Sequence, residues 1–106
     1  QIGAELIGDA SREADIAMLR LAASFVPNSL VVYTDASLDF DGDPRFVLHE
    51  DERSDCGYYT GVRFWVYSAD RRVPLAQGGR YDTLYERFGA AAPAIGFTFT
   101  IDGLED

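Results

Sequence analysis

Strict alternation of residue types in three separate segments is the feature that most limits the folds open to this chain. In residues 58–67, Tyr58, Val62, Phe64 and Val66 share one face with Thr60, so that this face of a strand is largely apolar. Residues 1–7 and 94–102 alternate in the same way. A strand with one apolar face needs a second layer to cover that face. The pattern therefore predicts a sheet that is packed against helices on one side.

One helix is predicted directly after the first strand. Ser11 or Asp9 can cap its N-terminus, and Asp15 lies in its first turn, where negative charge suits the helix dipole. Apolar residues then recur at helical spacing as far as Phe25, and Pro27 stops the helix. We expect this helix to cover the apolar face of the sheet.

The remaining segments predict shorter elements. Residues 29–34 and 45–49 are typical of short strands, and residues 73–77 are predicted to pair back on the strand before them. Residues 78–82 (GGRYD) predict a tight loop that opens a short helix over residues 82–88, because paired glycines permit positive φ and close approach. The predicted fold class is α+β: an antiparallel β-sheet flanked by helices.

Composition narrows the possible functions. The 106 residues carry a formal net charge of −9, and such an acidic surface repels phosphate backbones, so nucleic acid is not expected as the main partner. Cys56 is the only cysteine, which rules out an internal disulfide and a cysteine-cluster metal site. No apolar run reaches the ~18 residues that a membrane span needs. A chain of this length fits one domain. Because it begins at Gln1 and without Met, we expect a longer natural protein.

Polar residues on two predicted strands form a candidate pocket. Gln1 and Glu5 share a face of the first strand, roughly 13 Å apart, and Gly3 between them leaves open space above the backbone. This pattern fits the floor of a small polar pocket, and it also fits a plain solvated face. Tyr58 and Tyr59 point to opposite faces, so that one can pack in the core while the other reaches a pocket; a cross-strand aromatic pair is the alternative.

Two other polar groups predict no metal site. Asp39, Asp41 and Asp43 are similar to the start of a calcium loop, but the spacing fails, because Pro44 stands at the sixth position, where such a loop needs glycine, and Gly42 falls at the fourth. A solvated turn is therefore predicted. His49 is the only histidine, and with a single cysteine in the chain it predicts neither a metal centre nor a cysteine–histidine catalytic pair.

Four stretches, taken in order, resemble the catalytic core of the histidyl-tRNA synthetases. Residues 1–8 (QIGAELIG) resemble the strand after motif 2, and residues 58–64 (YYTGVRF) resemble the histidine-recognition motif. Residues 74–82 (PLAQGGRYD) and 93–97 (PAIGF) resemble the later glycine-rich turn and the motif 3 strand. The resemblance implies that the whole chain is one partial class II aminoacyl-tRNA synthetase-like core domain, with the N-terminal motifs of that core outside this chain.

Two departures from the synthetase pattern bear on function. Ser54 stands where the synthetases carry an arginine for the substrate carboxylate and the adenylate, and Gly103 stands where they carry the ATP-binding arginine of motif 3. Without these arginines, activation of histidine is expected to be very poor, since arginine forks balance the charge that develops on phosphate. The combination is similar to the synthetase-like regulatory subunits of ATP phosphoribosyltransferase. It implies a cytoplasmic, histidine-sensing subunit in histidine biosynthesis.

The same resemblance implies a histidine-binding site of six residues: Gln1, Glu5, Tyr59, Gly78, Gly79 and Tyr81. Gln1 would hold the α-amino group, and Glu5 and Tyr59 would bind the imidazole nitrogens. No catalytic residue, cofactor or metal is implied. The implied partners are histidine as effector and the short-form transferase catalytic subunit, in a homodimer or larger hetero-oligomer without nucleic acid or membrane. A divergent histidyl-tRNA synthetase and a plain α+β binding domain remain as alternatives.

Overall fold

Six strands and one helix make up the part of the chain that a computed structural model describes, which comprises residues 2–49, 61–68, 73–81 and 93–99. They follow in the order β1 (Ile2–Ile7), α1 (Arg12–Ser24), β2 (Leu30–Tyr33), β3 (Phe46–Leu48), β4 (Arg63–Tyr67), β5 (Ala76–Arg80) and β6 (Ala94–Phe99). The strands form one sheet in the order β1-β6-β5-β4-β2-β3.

The sheet is antiparallel except at one edge. The pairs β1–β6, β6–β5, β5–β4 and β4–β2 are antiparallel. The pair β2–β3 at the edge of the sheet is parallel. The predicted α+β class is confirmed, and the parallel pair is a feature that the sequence did not predict. The predicted turn at residues 69–72, the predicted helix at residues 82–88 and the start of the strand at residues 58–60 lie outside the described residues.

Helix α1 begins as the sequence predicts. The hydroxyl of Ser11 accepts a hydrogen bond from the backbone N–H of Ala14 at 3.1 Å, so Ser11 is the N-cap. The carboxylate of Asp9 accepts from the backbone N–H of Ser11 at 2.9 Å. Hydrogen bonding to Ser11 holds the pKa of the Asp9 carboxyl below its usual value. The helix ends at Ser24, with Phe25 as its C-cap.

The core lies between α1 and one face of the sheet. Leu19 in the middle of the helix is completely buried, and α1 contacts β6, β2 and β4. The side chains of Phe64 on β4 and Phe99 on β6 face the helix and are also inaccessible to solvent. Each such side chain contributes about 1.5–3 kcal/mol on burial. The opposite face of the sheet, here called the open face, is not covered by α1.

The glycine pair of the GGRYD motif lies inside strand β5, so the predicted tight loop at these residues is wrong. Gly78 pairs with Phe64 on one side and with Phe97 on the other. A Cβ on Gly78 would lie 2.1 Å from the carbonyl oxygen of Gly96 and 2.7 Å from the Cα of Phe97. Glycine is required here by the close approach of β5 and β6. Positive φ is not the reason, since among the described glycines only Gly8 and Gly42 have it.

Candidate functional site

A row of four residues crosses the open face of the sheet. Glu5 of β1 pairs with Gly96 of β6, Gly96 pairs with Gly79 of β5, and Gly79 pairs with Arg63 of β4. Directly paired residues on adjacent strands point to the same face. The row therefore has an acidic residue at one end, a basic residue at the other, and no side chains at its two central positions.

Glu5 and Tyr81 form the polar centre of this site. Tyr81 follows β5, two residues after Gly79, and its hydroxyl donates a hydrogen bond to Oε2 of Glu5. The phenol is buried, whereas Glu5 is exposed. The backbone N–H of Tyr81 donates to the carbonyl of Ala94 at 2.8 Å, which fixes where the tyrosine leaves the sheet. The result is an exposed carboxylate that a buried phenol holds in place.

Gly96 provides the room for this pair. A Cβ at this position would lie 3.0 Å from the hydroxyl oxygen of Tyr81 and 2.7 Å from the carbonyl oxygen of Ala4. Any side chain would therefore press on the phenol and on β1 at once. Gly3 is also restricted, because a Cβ there would lie 2.4 Å from the carbonyl oxygen of Phe97. The prediction that Gly3 leaves open space is wrong: it lies against the backbone of β6.

The structure brings Glu5, Gly79 and Tyr81 of the predicted histidine site to the open face. Gly78 lies on the other face, between two aromatic side chains of the core, Phe64 and Phe97, whose ring centroids are 6.5 Å apart. It therefore does not line the same pocket as Gly79. The remaining predicted site residues, Gln1 and Tyr59, lie outside the described residues, as do Ser54 and Gly103.

A buried ion pair on the helix face was missed by the sequence analysis. The guanidinium of Arg80 donates from Nε to Oδ1 of Asp15 at 2.9 Å and from Nη2 to the same oxygen. Its Nη1 donates to the carbonyl oxygen of Asp9 at 2.7 Å. One signal could have revealed the pair. Asp15 stands one turn before Leu19 on the apolar stripe of α1, and a buried carboxylate requires a partner.

Arg63 places positive charge on the open face. Its guanidinium carbon lies 5.2 Å from the centroid of the Trp65 ring, two residues along β4, which is a cation–π geometry. Both side chains are half-buried. The open face thus presents opposite charges near its two sides. Among the described residues, no group of three or more His, Cys, Asp and Glu side chains could hold a metal ion.

In the described part of the chain, no helix is long and apolar enough to span a membrane. His49 is exposed just after β3, and Asp41 makes a surface ion pair with Arg20 at 3.3 Å. Neither His49 nor Asp41 belongs to a cluster of potential metal ligands among the described residues.

Comparison with known families gives one match over more than half of the chain. A family model described as histidyl-tRNA synthetase matches residues 44–104. This range includes four of the six described strands, β3, β4, β5 and β6, and three residues of the row on the open face, Arg63, Gly79 and Gly96.

Curated relatives match shorter stretches at higher identity. The ATP phosphoribosyltransferase regulatory subunit of Acinetobacter baylyi is 56% identical over 41 residues, which cover 39% of this chain and 11% of the relative. The protein of the same name from a Geobacillus species is 47% identical over 51 residues, covering 48% of this chain and 13% of the relative. The matched part therefore spans only a small fraction of these relatives.

Two solved structures share the fold over nearly the whole chain. A histidine–tRNA ligase subunit from Alicyclobacillus acidocaldarius superposes with a TM-score of 0.67 at 22% identity, covering 97% of this chain and 63% of that one. An ATP phosphoribosyltransferase regulatory subunit/histidyl-tRNA synthetase from Bacillus halodurans gives 0.71 at 18% identity, covering 94% and 51%. At these identities the likeness establishes the fold.

Proposed function

The chain belongs to the histidyl-tRNA synthetase family, and from that premise we propose that it is part of a regulatory, histidine-sensing subunit of ATP phosphoribosyltransferase. The observation that carries this proposal is the identity of 47% to 56% with stretches of proteins that bear the name ATP phosphoribosyltransferase regulatory subunit. In this role the protein binds histidine as an effector, has no synthetase activity of its own, and acts on a transferase catalytic subunit.

The arrangement of Glu5 and Tyr81 supports an imidazole ligand. A neutral imidazole has one N–H donor and one acceptor nitrogen, so recognising it requires groups at fixed positions. The Glu5 carboxylate accepts from the ring N–H, and the phenol that donates to this carboxylate holds its orientation. By family resemblance, Gln1 binds the α-amino group and Tyr59 the second ring nitrogen. By the same resemblance, Gly79 gives room for the ring above the open face.

Two substitutions support the loss of synthetase activity. Adenylate formation develops negative charge on phosphate, and arginine side chains meet that charge in class II synthetases. By resemblance, Ser54 and Gly103 occupy the two positions where the synthetases carry these arginines. A hydroxyl or a hydrogen atom cannot replace a guanidinium fork. On this proposal the chain retains the histidine pocket and lacks the arginine side chains needed for adenylate formation.

The names of the relatives support a transferase catalytic subunit as the partner. We place the protein in the cytoplasm, in a homodimer or larger hetero-oligomer with a short-form ATP phosphoribosyltransferase catalytic subunit. The formal net charge of −9 disfavours tRNA as a ligand, because a polyanion is repelled by an acidic surface. The catalysed transfer of a phosphoribosyl group to ATP belongs to the partner.

The test uses the full-length protein with a short-form catalytic subunit. We expect the two to co-purify, the rate of phosphoribosyl transfer to rise when the full-length protein is added, and histidine to lower it again. Glu5→Gln removes the carboxylate from the pocket, so it should weaken the response to histidine while activation remains. Glu13→Gln is the matched control, because it removes the same charge from the exposed first turn of α1.

Two outcomes would contradict the proposal. One is a transferase rate that does not respond to the full-length protein. The other is a histidine response that Glu5→Gln and Glu13→Gln leave equally intact, which would place the effector site elsewhere. Absence of heat on titration with histidine would favour a plain binding domain.

A histidyl-tRNA synthetase is the second candidate, because the family model and one solved neighbour carry that name. It predicts histidine-dependent exchange of pyrophosphate into ATP by the full-length protein. If weak exchange is present, restoring arginine by Ser54→Arg and Gly103→Arg together should raise it. The regulatory proposal predicts no measurable exchange in the unmodified protein.

A further inference from the structure

The buried ion pair between Asp15 and Arg80 has no role in the site as described so far. Arg80 is 4% exposed and Asp15 is 9% exposed, so both charges have left water. Removing two charges from water is unfavourable for each ion, and an apolar pair of similar volume often stabilises a fold at least as well. The pair is therefore poorly explained as a device for stability alone. Its directional hydrogen bonds point to a role in position.

The position that the pair fixes is the end of β5. Arg80 and Tyr81 are consecutive in the chain and leave the strand on opposite faces, Arg80 toward α1 and Tyr81 toward Glu5. Any rotation or slide of this short segment on the helix face therefore moves the phenol on the open face. The backbone N–H of Arg80 donates to the carbonyl of Val62 at 2.9 Å, which anchors the same segment on its β4 side.

The guanidinium also reaches the chain that leads away from β1. Its Nη1 donates to the carbonyl oxygen of Asp9, which lies in the connection between β1 and α1. Glu5 is four residues earlier, on β1. One planar guanidinium thus ties the end of β5, which carries Tyr81, to the end of the strand that carries Glu5. A rigid fork with several donors suits this task better than an ammonium group on a flexible stem.

We infer that Asp15 and Arg80 are positioning residues for the pocket: the buried pair sets the end of β5 so that the hydroxyl of Tyr81 meets the carboxylate of Glu5. Both side chains lie on the helix face of the sheet, opposite the open face that carries Glu5 and Tyr81. The consequence for histidine affinity rests on the proposed function, whereas the consequence for Tyr81 does not.

The experiment reads Tyr81 directly. Full-length protein is prepared with 3-fluorotyrosine at position 81, and its fluorine NMR signal is recorded without histidine. Glu5→Gln calibrates the signal, since it changes the partner of the phenol. Asp15→Asn keeps the shape of the side chain and removes its charge. Leu19→Ala is the matched control, because it opens a cavity in the buried face of the same helix and leaves both charged side chains of the ion pair unchanged.

The inference predicts that Asp15→Asn moves the Tyr81 signal in the direction seen for Glu5→Gln, and that Leu19→Ala leaves it in place. Arg80→Lys keeps the positive charge but removes the planar guanidinium, so it should produce part of the same movement of the Tyr81 signal. This variant replaces Asp15→Asn in the test if Asp15→Asn folds poorly. A signal that stays at its wild-type position in both variants overturns the inference. So does an equal movement in Leu19→Ala, which would indicate general loosening.

Titration with histidine separates this inference from the proposed function. If histidine binds, Asp15→Asn should bind it about tenfold more weakly, and Leu19→Ala within about twofold of wild type. Unchanged affinity in Asp15→Asn would overturn the positioning role. If wild type binds no histidine, the proposed function fails, and the fluorine signal still decides the inference.

Discussion

Replacing Gly96 by alanine tests the site where β1, β6 and Tyr81 meet. The added Cβ would lie 2.7 Å from the carbonyl oxygen of Ala4 and 3.0 Å from the hydroxyl oxygen of Tyr81, where ordinary contacts begin at 3.4 Å. The shortfall against the backbone oxygen is about 0.7 Å. The phenol can turn away more easily than β1 can move, so we expect Tyr81 to lose its hydrogen bond to Glu5.

The magnitude has two parts. Inserting a methyl group into a close contact costs about 1–3 kcal/mol in the free energy of unfolding. A hydrogen bond to a charged group is worth about 1.5–3 kcal/mol, and because Glu5 is exposed we expect the lower end. Gly96→Ala should therefore reduce the free energy of unfolding by at least about 2.5 kcal/mol, the sum of the lower ends of the two parts. Histidine should bind about tenfold more weakly.

Gly78→Ala provides the matched comparison. The same methyl group would lie 2.1 Å from the carbonyl oxygen of Gly96, but on the helix face of the sheet. We expect a larger loss of stability, about 3 kcal/mol or more, and little change in the affinity of the protein that remains folded. Urea unfolding and calorimetric titration of both full-length variants measure the two quantities. The reasoning is refuted if Gly96→Ala binds histidine as tightly as wild type, or if folded Gly78→Ala loses as much affinity.

Three further changes test the fold. Ser11→Ala removes the N-cap acceptor of α1 and should lower the free energy of unfolding by about 1 kcal/mol in urea, with a result near zero arguing against the cap. Leu19→Ala empties a fully buried position and should cost about 2–5 kcal/mol, so a loss below 1 kcal/mol would contradict the packing of α1. Burial first, and then the carboxylates of Asp39 and Asp35, raise the pKa of Tyr33. The folded state therefore favours the neutral phenol, and stability should fall as the pH rises above the unfolded tyrosine value of about 10. Tyr33→Phe should reduce that fall, and an identical alkaline decline in both proteins would exclude this cause.

The elements that the sequence predicts well are those whose signals are local. Each of these signals lies in or next to the element that it predicts: the N-cap at Ser11 and the apolar stripe for α1, and the alternation of residue types for β4 and β6. Glu5 and Tyr81 are 76 positions apart, and only the family resemblance placed them in one pocket before the structure joined them by a hydrogen bond.

The elements that the sequence predicts poorly depend on partners far along the chain. Gly78 and Gly79 have the composition of a turn, yet they lie in a strand because β6 approaches β5 too closely for a side chain at Gly78. The parallel pairing of β2 and β3 likewise follows from the sheet as a whole, since nothing within either short strand specifies its direction. The Asp15–Arg80 pair joins residues 65 positions apart and leaves only one local trace, a carboxylate on an apolar stripe.

Direct titration of the full-length protein with histidine, by calorimetry, tests the central claim most immediately. We expect saturable binding by wild type, binding by Glu13→Gln at the same affinity, and a loss of about tenfold or more in Glu5→Gln. Binding that is equally strong in all three proteins would contradict the assignment of the pocket to Glu5 and Tyr81. No binding by wild type would contradict histidine as the ligand.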